Sequence, residues 1–237
     1  MTLLFTPKNK EKLKEFILNN SKNKFIFNFL NLYSVYLYKK DKEFKQAIDS
    51  KSDDSLTLID GSIISFFLNE QKLRGTNFSR FLINNLSLLN DKKHFFIGLT
   101  DDELNIITTK SLLNRKNIKV YNPPYITNNK FSDREIKKMV NLINKTKVNY
   151  LWIGIGNPKQ EILASDLYDK IDVNFIFNVG AAFDFILGKK KEAPKLIQKL
   201  GIEWLYRFTT DFKHSNKKVY KSFVGLFYLP TTIGKNK

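Results

Sequence analysis

Short apolar runs dense in Ile, Val, Phe and Tyr alternate along the chain with stretches of helical period, the pattern of an α/β domain built on a largely parallel sheet. Six runs read as strands: "KFIFNFL" (Lys24 to Leu30), "SLTLID" (Ser55 to Asp60), "KHFFIGL" (Lys93 to Leu99), "IKVYNPP" (Ile118 to Pro124), "NYLWIGI" (Asn149 to Ile155) and "VNFIFNVG" (Val173 to Gly180). Between them, helices are expected near 32–49, 62–70, 77–89, 101–116, 132–146 and 158–170. No internal repeat is visible.

Two joints carry legible helix starts. In "TDDE", Thr100 and Glu103 have capping-box spacing, and Asp101 and Asp102 suit the positive end of a helix. In "LWIGIGNPKQEIL", Gly154 and Gly156 permit close backbone approach, Asn157 is a good cap, Pro158 suits a first helical position and Gln160 falls at the capping-box position. Such a helix end presents free N–H groups and suits a phosphate, although Lys159 stands where a dinucleotide fingerprint needs its third glycine. On spacing alone, Gln160 and Glu161 read equally well as capping residues.

Composition narrows the function classes. The 237-residue chain has 42% hydrophobic residues, enough for a packed core. It has no cysteine and two histidines, His94 and His214, which excludes a disulfide framework, thiolate zinc, a cysteine nucleophile and a histidine-rich metal site. The 40 Lys+Arg against 23 Asp+Glu give a formal charge of +17, half of it in residues 189–237 with 12 Lys+Arg and 3 Asp+Glu. That segment interleaves lysines with "LGIEWLYRF" and "FVGLFYL", which fits an interfacial helix pair on anionic lipid or a terminal helix packed on the domain with a solvated basic face. The amino terminus lacks a signal-peptide apolar core, and no run approaches the roughly 20 apolar residues of a membrane span.

Three places could carry chemistry. The strand "SLTLID" ends at Asp60 before Gly61, and the carboxyl edge of a parallel sheet is where α/β proteins hold ligands, so Asp60 is a candidate general base or a helix cap. "QKLRGTNFSRF" gathers Lys72, Arg74 and Arg80 around Gly75. "NVGAAFDFILGKKKEAP" runs a strand into small residues followed by Asp184. That carboxylate reads more readily as a structural partner of a nearby lysine than as a catalyst.

In this order, "LIDGSII", "LRGTNF", "HFFIGL", "WIGIGNPKQE", "VGAAFDFILGKKKEAP" and "LGIEWLYRF" resemble the WecG/TagA/CpsF family of bacterial glycosyltransferases. The resemblance implies a Rossmann-like glycosyltransferase domain over 1–190 and a basic helical C-terminal appendage over 191–237 that meets the membrane and completes the active site. It implies metal-independent, inverting transfer from a UDP-sugar to a polyprenyl-diphosphate-linked sugar, without a cofactor, at the inner face of the cell membrane. The products would serve capsule, lipopolysaccharide, teichoic acid or a related glycan.

By the same resemblance Asp60 is the general base. Asn31, Arg74, Gly156, Gln160 and Glu161 line the donor site, while Lys72 and Arg207 hold acceptor or diphosphate. Lys72 and Asn77 stand where many members carry arginine and aspartate, and a lysine does not reproduce the bidentate arginine fork. The expected partners are the donor, the lipid-linked acceptor and an anionic membrane surface, with no nucleic acid; a homo-oligomer is compatible with this arrangement. The rival readings are a weakly active nucleotide-binding scaffold of a polysaccharide assembly complex and a Rossmann oxidoreductase.

Overall fold

A computed structural model describes residues 10–60, 64–65, 92–109, 114–180, 182–190, 193–194, 196–197, 206 and 212–232. The expected helix at 77–89, Lys72, Arg74, Asn77, Arg80 and Arg207 lie outside the described residues, as does all but 64–65 of the helix expected at 62–70.

All six expected strands form: β1 (Phe25–Leu30), β2 (Ser55–Ile59), β3 (His94–Ile97), β4 (Ile118–Tyr121), β5 (Tyr150–Ile153) and β6 (Phe175–Asn178). They make one sheet in the order β2-β1-β6-β5-β3-β4, every pair parallel. With helices on both faces this is the Rossmann-like α/β arrangement expected from the alternation of periods.

The helices are α1 (Lys10–Asn19), α2 (Leu32–Lys40), α3 (Lys42–Asp49), α4 (Asp101–Thr109), α5 (Asp133–Thr146), α6 (Lys159–Tyr168), α7 (Ala182–Ile186) and α8 (Phe212–Thr232). Helix α1 was not anticipated from the sequence. The span expected as one helix at 32–49 breaks at Asp41, which takes an extended conformation and accepts a 3.0 Å bond from the Phe44 N–H at the start of α3. That bond ends one helix and begins the next. Helix α4 starts with the expected capping box: Thr100 N–H donates to Glu103 Oε2 at 2.8 Å, and Glu103 N–H to Thr100 Oγ1 at 3.3 Å. Where one helix was expected from 101 to 116, the described residues hold α4 over Asp101–Thr109 and a separate 3-10 turn over Arg115–Asn117.

Alternate residues of each strand serve opposite layers. Phe27, Phe29, Leu58, Phe96, Trp152 and Phe177 face α1, α4 and α7, while Ile26, Ile97, Leu151, Ile153 and Ile176 face α5 and α6. The first layer is largely aromatic. Trp152 stacks on Phe96 with centroids 5.7 Å apart and lies 4.4 Å from Phe177.

Helix α8 folds back along α2. Leu229 is fully buried with Leu30, Val35 and Ile59, close to the carboxyl ends of β1 and β2. A Cβ on Gly225 would sit 2.1 Å from the Leu32 carbonyl oxygen, so the two helices meet backbone to backbone at that crossing. Along α8, Lys217 and Lys218 are exposed, while Lys221 is half-buried with its Nζ 5.5 Å from the centre of the Tyr36 ring.

Candidate active site

The site begins from two identical tetrapeptides. Phe25-Ile26-Phe27-Asn28 on β1 and Phe175-Ile176-Phe177-Asn178 on β6 lie side by side, with Phe25 opposite Phe175 and Phe27 opposite Phe177. The register carries both asparagines to one level and one face, where Asn178 Nδ2 donates to Asn28 Oδ1 at 2.7 Å. Burying two amides in an apolar sheet is unfavourable unless they bond each other and something beyond.

Beyond β6 and β5 the chain turns on glycines. Gly156 has φ +89°, with open space where a Cβ would point, so glycine is there for its backbone conformation. Gly154 is there for space: a Cβ would lie 2.3 Å from the Phe183 ring of α7. The peptide between Asn157 and Pro158 is cis.

The structure corrects the expected capping at this turn. Pro158, in a helical conformation, occupies the cap position of α6 and no side chain caps it. Asn157 instead turns away and donates from Nδ2 to Ser34 Oγ on α2 at 3.0 Å. Gln160 and Glu161 are buried, each 4% exposed. Gln160 Nε2 donates to Glu161 Oε1 at 2.9 Å and to the Asn178 carbonyl at 3.2 Å. The Gln160 N–H, which a phosphate at this helix end would want, already donates to the Gly156 carbonyl at 3.1 Å.

The other expected residues fall along the same sheet edge. Asp60 follows the last residue of β2, and its N–H donates to the Leu30 carbonyl at 2.7 Å. Asn31 follows the last residue of β1; its Oδ1 caps α2, accepting from the Ser34 N–H at 3.0 Å and the Ser34 hydroxyl at 3.3 Å. Ser34 thereby joins Asn31 to Asn157. Helix α2 packs on one face of the sheet and α7 on the other, which makes the carboxyl ends of the neighbouring strands β1 and β6 a topological switch point, the place where α/β proteins hold ligands. Asp60, Asn31, Gly156, Gln160 and Glu161 thus line one row of strand ends, β2-β1-β6-β5.

Burial lifts the Glu161 carboxyl to about 7, against the smaller stabilising pulls of Gln160 and Lys218. Lys218 of α8 places its Nζ 5.4 Å from the centre of the Tyr33 ring, next to Ser34. Its side chain is exposed as a whole, yet its ammonium is lowered, first by desolvation and then by repulsion from Lys190 and Lys159, with Glu161 pulling the other way. Lys190 is paired with Asp184 at 2.9 Å, so Asp184 has the structural partner expected for it. Among the described residues no group of His, Asp or Glu could hold a metal ion.

Ser34, Asn28, Asn178, Lys159 and Lys218 were missed as site residues in reading the sequence. The repeated "FIFN" was a usable signal, because a lone amide at the same place in two otherwise apolar strands predicts a buried pair.

The site defines a class: a Rossmann-like α/β protein with polar side chains gathered at the carboxyl ends of its central strands. The chain belongs to the Glycosyl transferase WecG/TagA/CpsF family, whose profile matches residues 4–233. It is similar to N-acetylglucosaminyldiphosphoundecaprenol N-acetyl-beta-D-mannosaminyltransferase of Staphylococcus aureus strain NCTC 8325 / PS 47, at 28% identity over 125 residues, 53% of this chain and 47% of the relative. The enzyme of the same name from strain MRSA252 is 34% identical over 83 residues, 35% of this chain and 33% of the relative. The matched region spans about half the length of the first relative or less.

Proposed function

We propose that the chain is an inverting glycosyltransferase that moves a sugar from a UDP-sugar to a polyprenyl-diphosphate-linked sugar in bacterial cell-envelope glycan synthesis. The observation that carries this reading is the position of Asp60 at the end of β2, beside Asn31 and in one row with the buried Gln160 and Glu161. The named activity of the relatives makes N-acetylmannosamine the first donor sugar to test and N-acetylglucosaminyl-diphosphoundecaprenol the first acceptor.

In the reaction, the acceptor hydroxyl oxygen forms a bond to the anomeric carbon while the bond from that carbon to the diphosphate breaks on the opposite face. Asp60 takes the hydroxyl proton. The departing diphosphate carries the developing charge, and fixed cations that meet it accelerate departure. Lys218, whose ammonium is desolvated and repelled by Lys190 and Lys159, supports that role alongside Lys72, Arg74 and Arg207 from the sequence.

The acceptor is held in a bilayer, and among the described residues no helix is long and apolar enough to cross one. Peripheral attachment at the cytoplasmic membrane face is the reading we adopt. It is supported by α8, where Tyr220, Phe223 and Phe227 are exposed at helical spacing beside Lys217 and Lys221.

The test is a transferase assay with lipid-linked acceptor, with and without chelator, on the wild-type chain and Asp60→Asn. Removing a general base is expected to lower turnover about 100-fold or more. An Asp60→Asn protein that keeps most of its turnover removes Asp60 from the mechanism, and a chain that turns over no UDP-sugar supports the scaffold reading. In metal-free buffer, UDP at about 100 times its dissociation constant should raise the melting temperature by roughly 5–11 °C. A shift with NAD and none with UDP would favour the oxidoreductase instead.

A further inference from the structure

Helix α4 starts with a carboxylate that holds two groups at once. Glu103 Oε2 accepts from the Thr100 N–H at 2.8 Å, which closes the capping box, and Oε1 accepts from the ammonium of Lys189, in the loop that follows α7. Glu103 and Lys189 stand 86 residues apart in sequence. Burial by itself would raise the Glu103 carboxyl, yet the Lys189 ammonium and the Thr100 N–H together hold it below its ordinary value, so it is ionised as the pair requires.

The loop after α7 gains an outside hold from this bond. Its Gly188 has φ +81° and open space where a Cβ would point, and the contacts of the next lysine return to α7 itself: the Lys190 N–H donates to the Asp184 carbonyl at 3.1 Å, and the Lys190 ammonium pairs with the Asp184 carboxylate at 2.9 Å. Those bonds fix Lys190 relative to a helix of five residues. Lys189 fixes the same loop to α4, whose Leu104 and Ile107 are fully buried against the aromatic layer of the sheet. Consecutive lysines thus take different parts: one grips the domain, and the other lies near enough to Lys218 of α8 to repel its ammonium.

With the Lys189 side chain 53% exposed, such an ion pair contributes little to stability. What it does set is where the loop stands. We propose that Glu103 is a positioning residue: through Lys189 it fixes the loop after α7, and with it the separation of Lys190 and Lys218, two ammonium groups that meet a diphosphate. Neither Glu103 nor Lys189 touches substrate in this arrangement. The identity of the anion rests on the transferase reading above, whereas the hold of Glu103 on the loop does not.

The experiment is titration calorimetry of inorganic pyrophosphate into the full chain, for the wild type, Glu103→Gln, Lys189→Met, the double variant and Lys189→Arg. Glutamine serves at the capping-box position as glutamate does, and its single oxygen is taken by the Thr100 N–H, so Glu103→Gln keeps the start of α4 and removes the charge that holds Lys189. The melting temperature of each variant should stay within about 4 °C of wild type. Expected binding is about fivefold weaker for either single variant and no weaker again for the double variant, because both changes break one contact. Lys189→Arg keeps the pair and should bind as the wild type does.

Unchanged binding by both single variants overturns the positioning role, as do losses that add in the double variant. A loss confined to one of the two single variants also overturns it, because the pair would then not act as one, and so does an equal loss in Lys189→Arg. A larger fall in melting temperature marks a structural role instead, and a wild type that binds no pyrophosphate leaves nothing to position. The transferase reading is judged separately, by turnover. A wild type that turns over a UDP-sugar while its variants bind pyrophosphate normally keeps that reading and loses this one; the expected binding pattern without turnover does the reverse.

Discussion

Two buried ionisable groups give this molecule opposite responses to pH. His94 begins β3 under Trp152, whose Nε1 donates to its Nδ1 at 3.2 Å, and burial lowers it to about 4. The unfolded chain takes that proton near 6.5 and the folded chain near 4, so stability is full above about 6.5 and falls as pH drops toward 4. Glu161 behaves inversely. Its folded carboxyl holds the proton to about 7 while the unfolded one loses it near 4.5, so stability falls as pH rises across that window, by roughly 3 kcal/mol in all. The two slopes oppose each other, and urea unfolding of Glu161→Gln from pH 4.5 to 8 should separate them. The variant is expected to lose the downward limb, so that it is more stable relative to wild type at pH 8 than at pH 4.5; a constant difference would mean Glu161 is not the group responsible.

Gly154 offers a simpler check. Any side chain at this position meets the Phe183 ring, an overpacking that costs about 1–3 kcal/mol, so Gly154→Ala should lower the urea midpoint without changing its slope.

Elements show why much of the fold was legible in the sequence and some of it was not. Each strand is a short apolar run bounded by turn residues, and a sheet covered on both faces demands such runs in every strand, so the six were readable. The break at Asp41 was not, because helical period continues through it: Phe44, Ala47 and Ile48 resume the pattern of Val35, Leu37 and Tyr38 with little shift. At the break the Asp41 carboxylate accepts from the Phe44 N–H with one oxygen and from Asn129 Nδ2 with the other. Asp41→Ala should therefore cost about 1 kcal/mol, seen as a drop in the urea midpoint.

The turn at Gly156 misled for a related reason. Asn-Pro-Lys-Gln has the residue types of a helix cap, but Asn157 finds a better-placed partner in Ser34, 123 residues away in sequence, and Pro158 takes the cap position. Spacing reports local options only. A partner on another helix decides between them, and nothing near Asn157 in the sequence announces it. The positions of Asp60 and Asn31 at strand ends follow from the same apolar pattern that makes the strands, while the donor-site role of Asn31 came only from the family resemblance.

At the scale of the whole molecule, the C-terminal helix packs along α2, which starts at the site's edge. Helix α8 spends its apolar positions in two ways: Leu229 goes into the domain with Val35 and Ile59, while Tyr220, Phe223 and Phe227 stay out. The Phe223 and Phe227 rings meet edge to face at 5.5 Å and present one continuous surface. Replacing both by serine removes exposed area that contributes nothing to the fold, so the melting temperature should hold while binding to vesicles containing anionic lipid weakens at least tenfold. Equal vesicle binding by the double variant would leave attachment to the lysines alone.

The backbone crossing at Gly225 reaches further than stability. Helix α2 starts at Asn31 on the site's edge, and α8 touches it at its first residue, Leu32, with no side chain between them. A contact with no intervening side chain has almost no compliance. Whatever plane α8 rests on therefore fixes the tilt and height of the strand ends above it, as the foot of an instrument fixes its focal distance. On a bilayer, such a foot would set how far a lipid-linked sugar must rise to be within reach of Asp60, and a residue larger than glycine at position 225 would change that working distance before it changed any catalytic group.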